Sequence, residues 1–334
     1  MSRYWTRRLL YLVLVVLGVI TLTFVVSHLI PADPARYAAG LHARPEQVEL
    51  VRKQLGLDRP VWEQYVRYIA RLCRGDLGTS ILTRKPVAEE LKLFFPATAE
   101  LVLVALLLNV LIAVPLGVAA AVGRGRPTDG FARLLAVIGA GMPVFWLGLI
   151  LQLLLYARWN VLPMGGRLSV GVLPPPQVTG LYVVDAILAG QPEVAVDALR
   201  HLIMPSFVLA IGEIAVVTRM TRSSMLEVLG QDYIRTARAK GLAERVVIYR
   251  HALKNAILPV VTVLGMQLGW MMGGTLLVES IFSWGGLGYY AVTGIRHHDF
   301  PVIMGVTLLI SVTFVVANLI VDFLYTVLDP RIRY

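Results

Sequence analysis

Histidine and acidic side chains are the first candidates for chemistry in this 334-residue chain. His297, His298 and Asp299 are consecutive, and imidazole and carboxylate groups are common metal ligands. Adjacent residues on a helix do not face one another, and no third ligand stands at a matching spacing. We therefore interpret the cluster as a polar loop and expect no metal site. Cys73 is the only cysteine, which leaves no intrachain disulfide and no cysteine cluster for metal.

Signatures of enzymes and nucleotide-binding proteins are missing from the sequence. It contains no G-x-x-x-x-G-K-[ST], and its Lys240-Gly241 pair has the order reversed. It also has no H-E-x-x-H and no Ser-His-Asp arrangement. We expect no enzymatic activity and no bound cofactor, so any ATP-driven work would need a partner's ATPase.

Several polar residues interrupt long apolar segments. Asn109, Gln152, Gln267 and Asn318 could form interhelical hydrogen bonds or could line a polar translocation path. Our candidate path residues are Asn109, Gln152, Gln267 and Glu279.

Two carboxylates and a glycine run also lie in or beside these segments. Ionisable groups in lipid are costly and often functional, but we expect Glu213 and Asp322 to snorkel or to pair with other helices. A glycine run (Gly265, Gly269, Gly273 and Gly274) predicts close packing against a neighbouring helix.

The elements that carry these residues are predicted to be membrane-spanning helices. Hydrophobic residues make up 57% of the chain and charged residues 16%, with a mean hydropathy of +0.71. Six apolar segments are long enough for a span of about 20 residues; they cover 9–30, 98–122, 134–156, 201–219, 256–278 and 302–325. The first is longer than a typical signal peptide core and lacks a cleavage site, so we expect it to remain uncleaved. The predicted fold class is an all-α integral membrane protein.

The charge distribution predicts the orientation. The net charge is +10, but sixteen of the 31 Lys and Arg residues lie in four short segments that share one side of the membrane: 1–8, 123–133, 219–254 and 326–334. This positive-inside bias predicts that both termini are cytoplasmic. It also argues against nucleic acid as the partner and favours a membrane lipid environment.

The chain divides into two predicted regions. Residues 1–97 contain the first span and an external soluble region, 31–97, in which helical spacing runs from about Pro45 to Arg74 with a break at Gly56. Residues 98–334 contain the other five spans.

The connection 220–255 combines basic residues with aromatic and aliphatic ones. Its pattern predicts a helix, a break at Gly241 and a second helix, with Pro259 in the first turn of the next span. A loop needed only for solubility or for lipid attraction would not carry these aromatic and aliphatic residues: Tyr233, Ile234, Val246, Val247, Ile248 and Tyr249. We therefore expect it to dock on a cytoplasmic protein.

This segment resembles the inner-membrane permeases of binding-protein-dependent ABC importers. The strings DYIRTARAKGL at 232–242 and HALKNAILP at 251–259 resemble the dipeptide, oligopeptide and nickel branch, although Arg235-Thr236-Ala237 replaces the family's E-A-A. Gly75–Ser80, Met142–Gly148, Glu279–Phe282 and Leu328–Arg331 carry further similarity. Gly285-Gly286 stands where the family usually has Pro-Gly.

The resemblance implies a type I ABC importer permease core and a set of partners. These are a second homologous permease, two cytoplasmic ATPase subunits that hold ATP and Mg²⁺, and an external solute-binding protein in a bacterial inner membrane. It implies that the following residues form an ATPase-coupling loop: Tyr233, Arg235, Thr236, Ala237, Arg238, Lys240, Gly241, Leu242, Val246, Tyr249, His251, Asn255 and Pro259.

The implied function is import of di- or oligopeptides. Nickel chelates and glutathione are alternatives within the same family. An ion-coupled secondary transporter and a membrane-embedded enzyme are less favoured, because we find neither two related halves nor a catalytic constellation.

Overall fold

The computed structural model describes residues 2–29, 33–40 and 42–328, and it describes side chains from residue 10 onward except at 322 and 324–328. The predictions for Asp322 and for the end of the Leu328–Arg331 string therefore lie outside the described residues. The described part of the chain is helical, with no strand beyond a single bridge between Thr79 and Pro86. The all-α prediction is confirmed.

Fourteen helices follow one another in the described residues. The first seven are α1 Ser2–Leu29, α2 Pro34–Ala39, α3 Pro45–Leu55, α4 Val61–Leu72, α5 Val87–Val122, α6 Pro127–Gly141 and α7 Val144–Leu151, which continues as a π-helix over Gln152–Arg158. The remaining seven are α8 Tyr182–Leu188, α9 Pro192–Leu229, α10 Asp232–Ala239, α11 Glu244–Val246, which continues as a π-helix over Val247–Ala252, α12 Leu253–Phe282, α13 Leu287–Arg296 and α14 Phe300–Leu328.

Five described segments are long and apolar enough to cross a bilayer, and a sixth span results if the bent pair α6–α7 counts as one. The predicted third span at 134–156 is not one continuous helix, because α6 and the helix from Val144 to Arg158 meet at 103°. Met142 there is extended, with φ −85° and ψ 122°. The following Pro143 disfavours a helical conformation at Met142, which explains the break.

Other spans are longer than predicted. Helix α5 begins at Val87, before the predicted residue 98, and α9 continues to Leu229, past the predicted residue 219. The first turns of α5 carry Glu89 and Glu90, where negative charge is favourable at a helix N-terminus. These extensions shorten the connections between helices.

The contacts divide the chain into two compact units. The first contains the described residues from 2 to 98 and residues 285–315. In it, α4 lies on α1, where Tyr65 contacts Phe24 edge to face and its hydroxyl hydrogen-bonds Thr21 at 2.6 Å. The predicted break at Gly56 is confirmed, since Gly56 takes a left-handed φ of 68° between α3 and α4.

A buried hydrogen-bond network lies in this same unit. Tyr290 donates to Glu90 at 2.6 Å and stacks on Phe94. Burial and the adjacent Glu90 carboxylate raise the pKa of Tyr290 well above its ordinary value. Asp299 accepts hydrogen bonds from Ser80 Oγ and from the Leu82 backbone N–H.

The second unit contains the described residues 99–284 and 316–328. Helix α9 is its centre and contacts α6, α7, α8 and α12. Close approach depends on small residues at particular points: a Cβ on Gly117 would overlap Thr221, and one on Gly265 would overlap Val321. The predicted close packing of the glycine run is therefore confirmed for Gly265, whereas a Cβ on Gly273 would meet nothing within 4 Å.

Candidate functional site around helix α10

Helix α10 is fixed to the second unit by one apolar face. Ile234 is fully buried and Ala237 nearly so, and their spacing of three places both on one side of the helix. The buried cluster around them contains Val118, Ala121, Met225, Val247, Ile248, Ala252 and Ala256. It joins the ends of α5 and α9 to the start of α12, so α10 has a defined orientation.

The opposite face of α10 is open. Tyr233 is 43% exposed, and Leu242 is 41% exposed just beyond the helix. Val246 and Tyr249 are also exposed. The prediction that Ile234, Val247 and Ile248 take part in docking was wrong, because all three are buried in the cluster beneath α10. Of the residues assigned to coupling, Ala237 is thus an anchor, while most of the others lie on a surface that is free in the described chain.

A glycine turn ends α10. Gly241 has a φ of 76°, and its N–H donates to the carbonyl of Arg238 at 2.9 Å. No heavy atom lies within 4 Å of the position that a Cβ would occupy at Gly241. Backbone conformation, and not space, therefore favours glycine here. The predicted break at Gly241 is confirmed.

An ion pair spans this turn. Arg238 donates to both carboxylate oxygens of Glu244, at 2.7 and 3.1 Å. The hydrogen bond to Glu244 raises the pKa of Arg238 above its ordinary value. Both side chains are about half exposed, so the pair contributes modestly to stability, on the order of 1 kcal/mol or less. Its bidentate geometry is specific to arginine.

A second link joins α10 to α12. Asn255 Nδ2 donates to Tyr233 Oη at 2.9 Å and to the carbonyl of His251 at 3.1 Å. Arg235 pairs with Asp232 on its own helix, and the Thr236 hydroxyl donates to the Asp232 carbonyl. Lys240 is exposed. The assigned residues therefore come together on the two sides of one turn.

The structure corrects the position of Pro259 and shows how the predicted loop joins the helices on either side. Residues 220–229 are the end of α9, and the helical backbone from Glu244 runs into α12, so the separate element is only α10 with its turn. Pro259 lies inside α12 and not in its first turn. The helix begins earlier because residues 247–252 continue it as a π-helix.

The candidate path residues fall into separate groups. Asn109 donates to Gln267 at 2.8 Å, and Gln267 donates to the Glu213 carbonyl at 3.3 Å. Gln152 instead donates to the carbonyls of Met164 and Ile281. Glu279 is fully buried in α12. The hydrogen bonds of these amides join helices, and a role in translocation stays a prediction.

Metal-binding clusters are absent from the described residues, where no group of three His, Cys, Asp or Glu side chains could hold an ion. His298 stacks on Tyr37 with ring centroids 4.4 Å apart. Asp299 is buried and hydrogen-bonded within the fold, so the interpretation as a polar loop does not extend to this residue.

Sequence reasoning missed four buried carboxylates with structural roles: Glu90, Glu100, Asp129 and Asp185. Asp129 accepts hydrogen bonds from Arg222 Nε and NH2 at 2.6 and 3.0 Å. Glu100 pairs with Arg167 at 2.7 Å. These partners lie 93 and 67 residues apart, and no local spacing signals such a pair.

Comparison with known proteins identifies the family. Residues 113–334 match the binding-protein-dependent transport system inner membrane component, and residues 1–102 match the N-terminal region of the same membrane component. The chain belongs to this family, the inner-membrane permeases of ABC importers, and is a multi-pass inner-membrane protein.

Curated relatives cover nearly the whole chain. It is 50% identical to the probable D,D-dipeptide transport system permease protein DdpB of Escherichia coli K12, over 96% of this chain and 94% of the relative. It is 44% identical to the dipeptide transport system permease protein DppB of the same strain, over 100% and 99%. The glutathione transport system permease protein GsiC of Salmonella typhimurium is 40% identical over the full length of both.

Proposed function

We propose that this chain is one of two permease subunits of an importer that carries dipeptides or oligopeptides. The supporting observation is the match over nearly the full length to permeases named for dipeptide transport, one of them at 50% identity. A permease named for glutathione transport is 40% identical to this chain, so the tripeptide glutathione is the second candidate substrate.

The proposal assigns a separate role to each subunit of the importer. A solute-binding protein delivers the solute outside, a second permease completes the translocation path, and two ATPase subunits hydrolyse ATP in the cytoplasm. Helix α10 and the turn at Gly241 dock on an ATPase subunit, because their exposed side chains are carried by a firmly anchored helix. This chain performs no ATP hydrolysis itself.

Reconstituted uptake tests the substrate. The complete complex in proteoliposomes, supplied with ATP inside and the solute-binding protein outside, should accumulate a radiolabelled dipeptide. Radiolabelled L,L-dipeptide, D,D-dipeptide and glutathione are each supplied to separate batches of vesicles. Uptake of glutathione without uptake of either dipeptide would contradict the peptide assignment.

The energy source is tested in the same vesicles. Uptake should require ATP and should persist when ionophores collapse the proton and sodium gradients. Uptake driven by an ion gradient without ATP would instead support a secondary transporter. The purified chain alone should show no ATP turnover above that of a mock purification.

A further inference from the structure

Three polar side chains from three spans meet inside the second unit. Asn109 of α5 donates through Nδ2 to Oε1 of Gln267 in α12 at 2.8 Å. Gln267 Nε2 in turn donates to the carbonyl of Glu213 in α9 at 3.3 Å, and the same amide also interacts with the Glu213 carboxylate. We call these three residues the polar node. It joins helices that are far apart in sequence.

The polar node lies deep within its helices. Each of its residues lies in the middle third of the helix that carries it. Glu213 is the only residue between His201 and Arg219 with an ionisable side chain. It is about 9 Å from Arg219 and about 18 Å from His201 along the helix axis. A carboxylate inside a span is costly in lipid, so it needs a partner or access to water.

Glu213 differs from two other carboxylates of the same unit in its choice of partner. Glu100 pairs with Arg167, and Asp129 pairs with Arg222. None of the ion pairs between described side chains includes Glu213. A charge on Glu213 therefore needs a cationic partner that the described part of the chain does not supply.

The polar node offers hydrogen-bond acceptors. Asn109 is fully buried, and its Oδ1 has no hydrogen-bond partner among the described residues. Glu213 adds two carboxylate oxygens. A protonated amine has three N–H donors and no acceptor, and its hydrogen bonds to a carboxylate are stronger than those between neutral groups. The chemistry of the node therefore matches an ammonium group.

Helix α9 is open beside Glu213. Residues 211–213 are half-buried, whereas 208–210 before them and 214–215 after them are buried. A Cβ on Gly212 would meet no atom of another helix closer than 3.9 Å. A small group can therefore approach the carboxylate from this side of the helix.

We propose that Glu213 binds the cationic α-amino group of the transported peptide on its way through the membrane. Asn109 and Gln267 form the polar wall of this site. The class of ligand is a peptide with a free amino terminus, because an acylated amine carries no charge to pair with the carboxylate. The inference rests on the proposed function, which supplies the peptide and its route through the membrane.

A neutral variant tests this role in the reconstituted complex. Glu213→Gln keeps the size of the side chain and removes its charge. The number of peptides taken up per ATP hydrolysed should fall about tenfold or more, because hydrogen bonds to charged groups are stronger than neutral ones. ATP turnover stimulated by the solute-binding protein should stay close to that of the wild type. An unchanged number of peptides per ATP would overturn the proposal, and so would a parallel loss of uptake and ATP turnover.

Two further variants separate charge from structure. Glu213→Asp keeps the charge and should retain more uptake per ATP than Glu213→Gln. Glu193→Gln is the matched control, because Glu193 is an exposed carboxylate at the start of the same helix; it should behave as the wild type. Equal losses in Glu213→Asp and Glu213→Gln would contradict the role of the charge. A wild-type complex that takes up no peptide would overturn the proposed function as well.

Carbodiimide labelling tests the site in the unaltered chain, so its result does not depend on the folding of a variant. Dicyclohexylcarbodiimide modifies protonated carboxyl groups in apolar surroundings, and a bound ammonium group would keep the Glu213 carboxylate ionised and shielded. In the purified complete complex, an excess of dipeptide should slow labelling of Glu213, measured by mass spectrometry, severalfold. An N-acetylated dipeptide, which lacks the ammonium group, should give no protection.

Three results of the labelling experiment would overturn the proposal. The first is an equal labelling rate of Glu213 with and without the dipeptide. The second is equal protection by the free and the N-acetylated dipeptide, because the ammonium group would then not be the recognised feature. The third is a Glu213 side chain that does not react even without peptide, since a carboxyl group that the small reagent cannot reach is also closed to a peptide.

Discussion

At the scale of single residues, Gly241 tests the docking role of α10. Its φ of 76° is strained for a β-branched residue, and no neighbour crowds the site. Gly241→Val should cost about 1–2 kcal/mol locally, which misdirects the turn without unfolding the spans. We expect normal abundance, loss of ATPase attachment in a pull-down from membranes, and loss of uptake. Gly241→Asn is the control, because asparagine tolerates this conformation better; full uptake by Gly241→Val would leave the coupling role unsupported.

Gly165 presents the opposite case, in which space and not conformation favours glycine. A Cβ at Gly165 would overlap the carbonyl oxygen of Phe282. Gly165→Ala must push the connection away from α12 and should lower the stability by about 1–3 kcal/mol. Gly273→Ala in the same helix as Phe282 meets open space and should be neutral or slightly stabilising. Thermal unfolding of both variants in detergent, followed by size-exclusion chromatography, makes the comparison; equal midpoints would contradict the steric argument.

At the scale of secondary-structure elements, a buried ion pair holds the start of α6 on α9. Asp129 is 2% exposed and binds Arg222 in bidentate fashion. Asp129→Ala leaves the Arg222 charge without its partner and should lower the midpoint of thermal unfolding in detergent. The double variant Asp129→Leu with Arg222→Met should recover part of that loss, because neither charge remains. A double variant that is less stable than Asp129→Ala would contradict this account.

The residues of helix α10 do not all have the same role, because some anchor the helix and others are exposed. Ile234 and Tyr233 are neighbours in sequence, yet one is buried and the other is exposed. The sequence does contain a signal for the division, since Ile234 and Ala237 recur at helical spacing. The bidentate contact of Arg238 with Glu244 means that Arg238→Lys is less conservative than an exchange at Lys240.

At the scale of the whole molecule, the predicted orientation in the membrane is testable by cysteine labelling. In a Cys73→Ser background, single cysteines at positions 50 and 230 are exposed to an impermeant maleimide in intact cells. The positive-inside bias predicts labelling at 50 and protection at 230. Permeabilised cells provide the control, because both positions should then react. Labelling at 230 but not at 50 in intact cells would reverse the proposed topology.

Features that depend on local chemistry could be predicted from the amino-acid sequence. Apolar segments of span length predict helices in a bilayer, and basic residues before Gly241 predict the glycine turn. The strings at 232–242 and 251–259 were enough for the family. The sequence also contains a signal for the break in the third span, since Met142 precedes a proline. The apolar residues on both sides of this position nevertheless favoured the prediction of a single helix.

The contacts between side chains that are distant in sequence could not be predicted and are known from the folded structure. Arg167 and Glu100 are 67 residues apart, and Asp129 and Arg222 are 93 residues apart. Neither pair can therefore be recognised from a periodic spacing in the sequence. The buried face of α10 likewise depends on α5, α9 and α12 converging beneath it. The physical reason is that burial and charge pairing depend on the packing of whole helices, whereas propensity and hydropathy act over one or two turns.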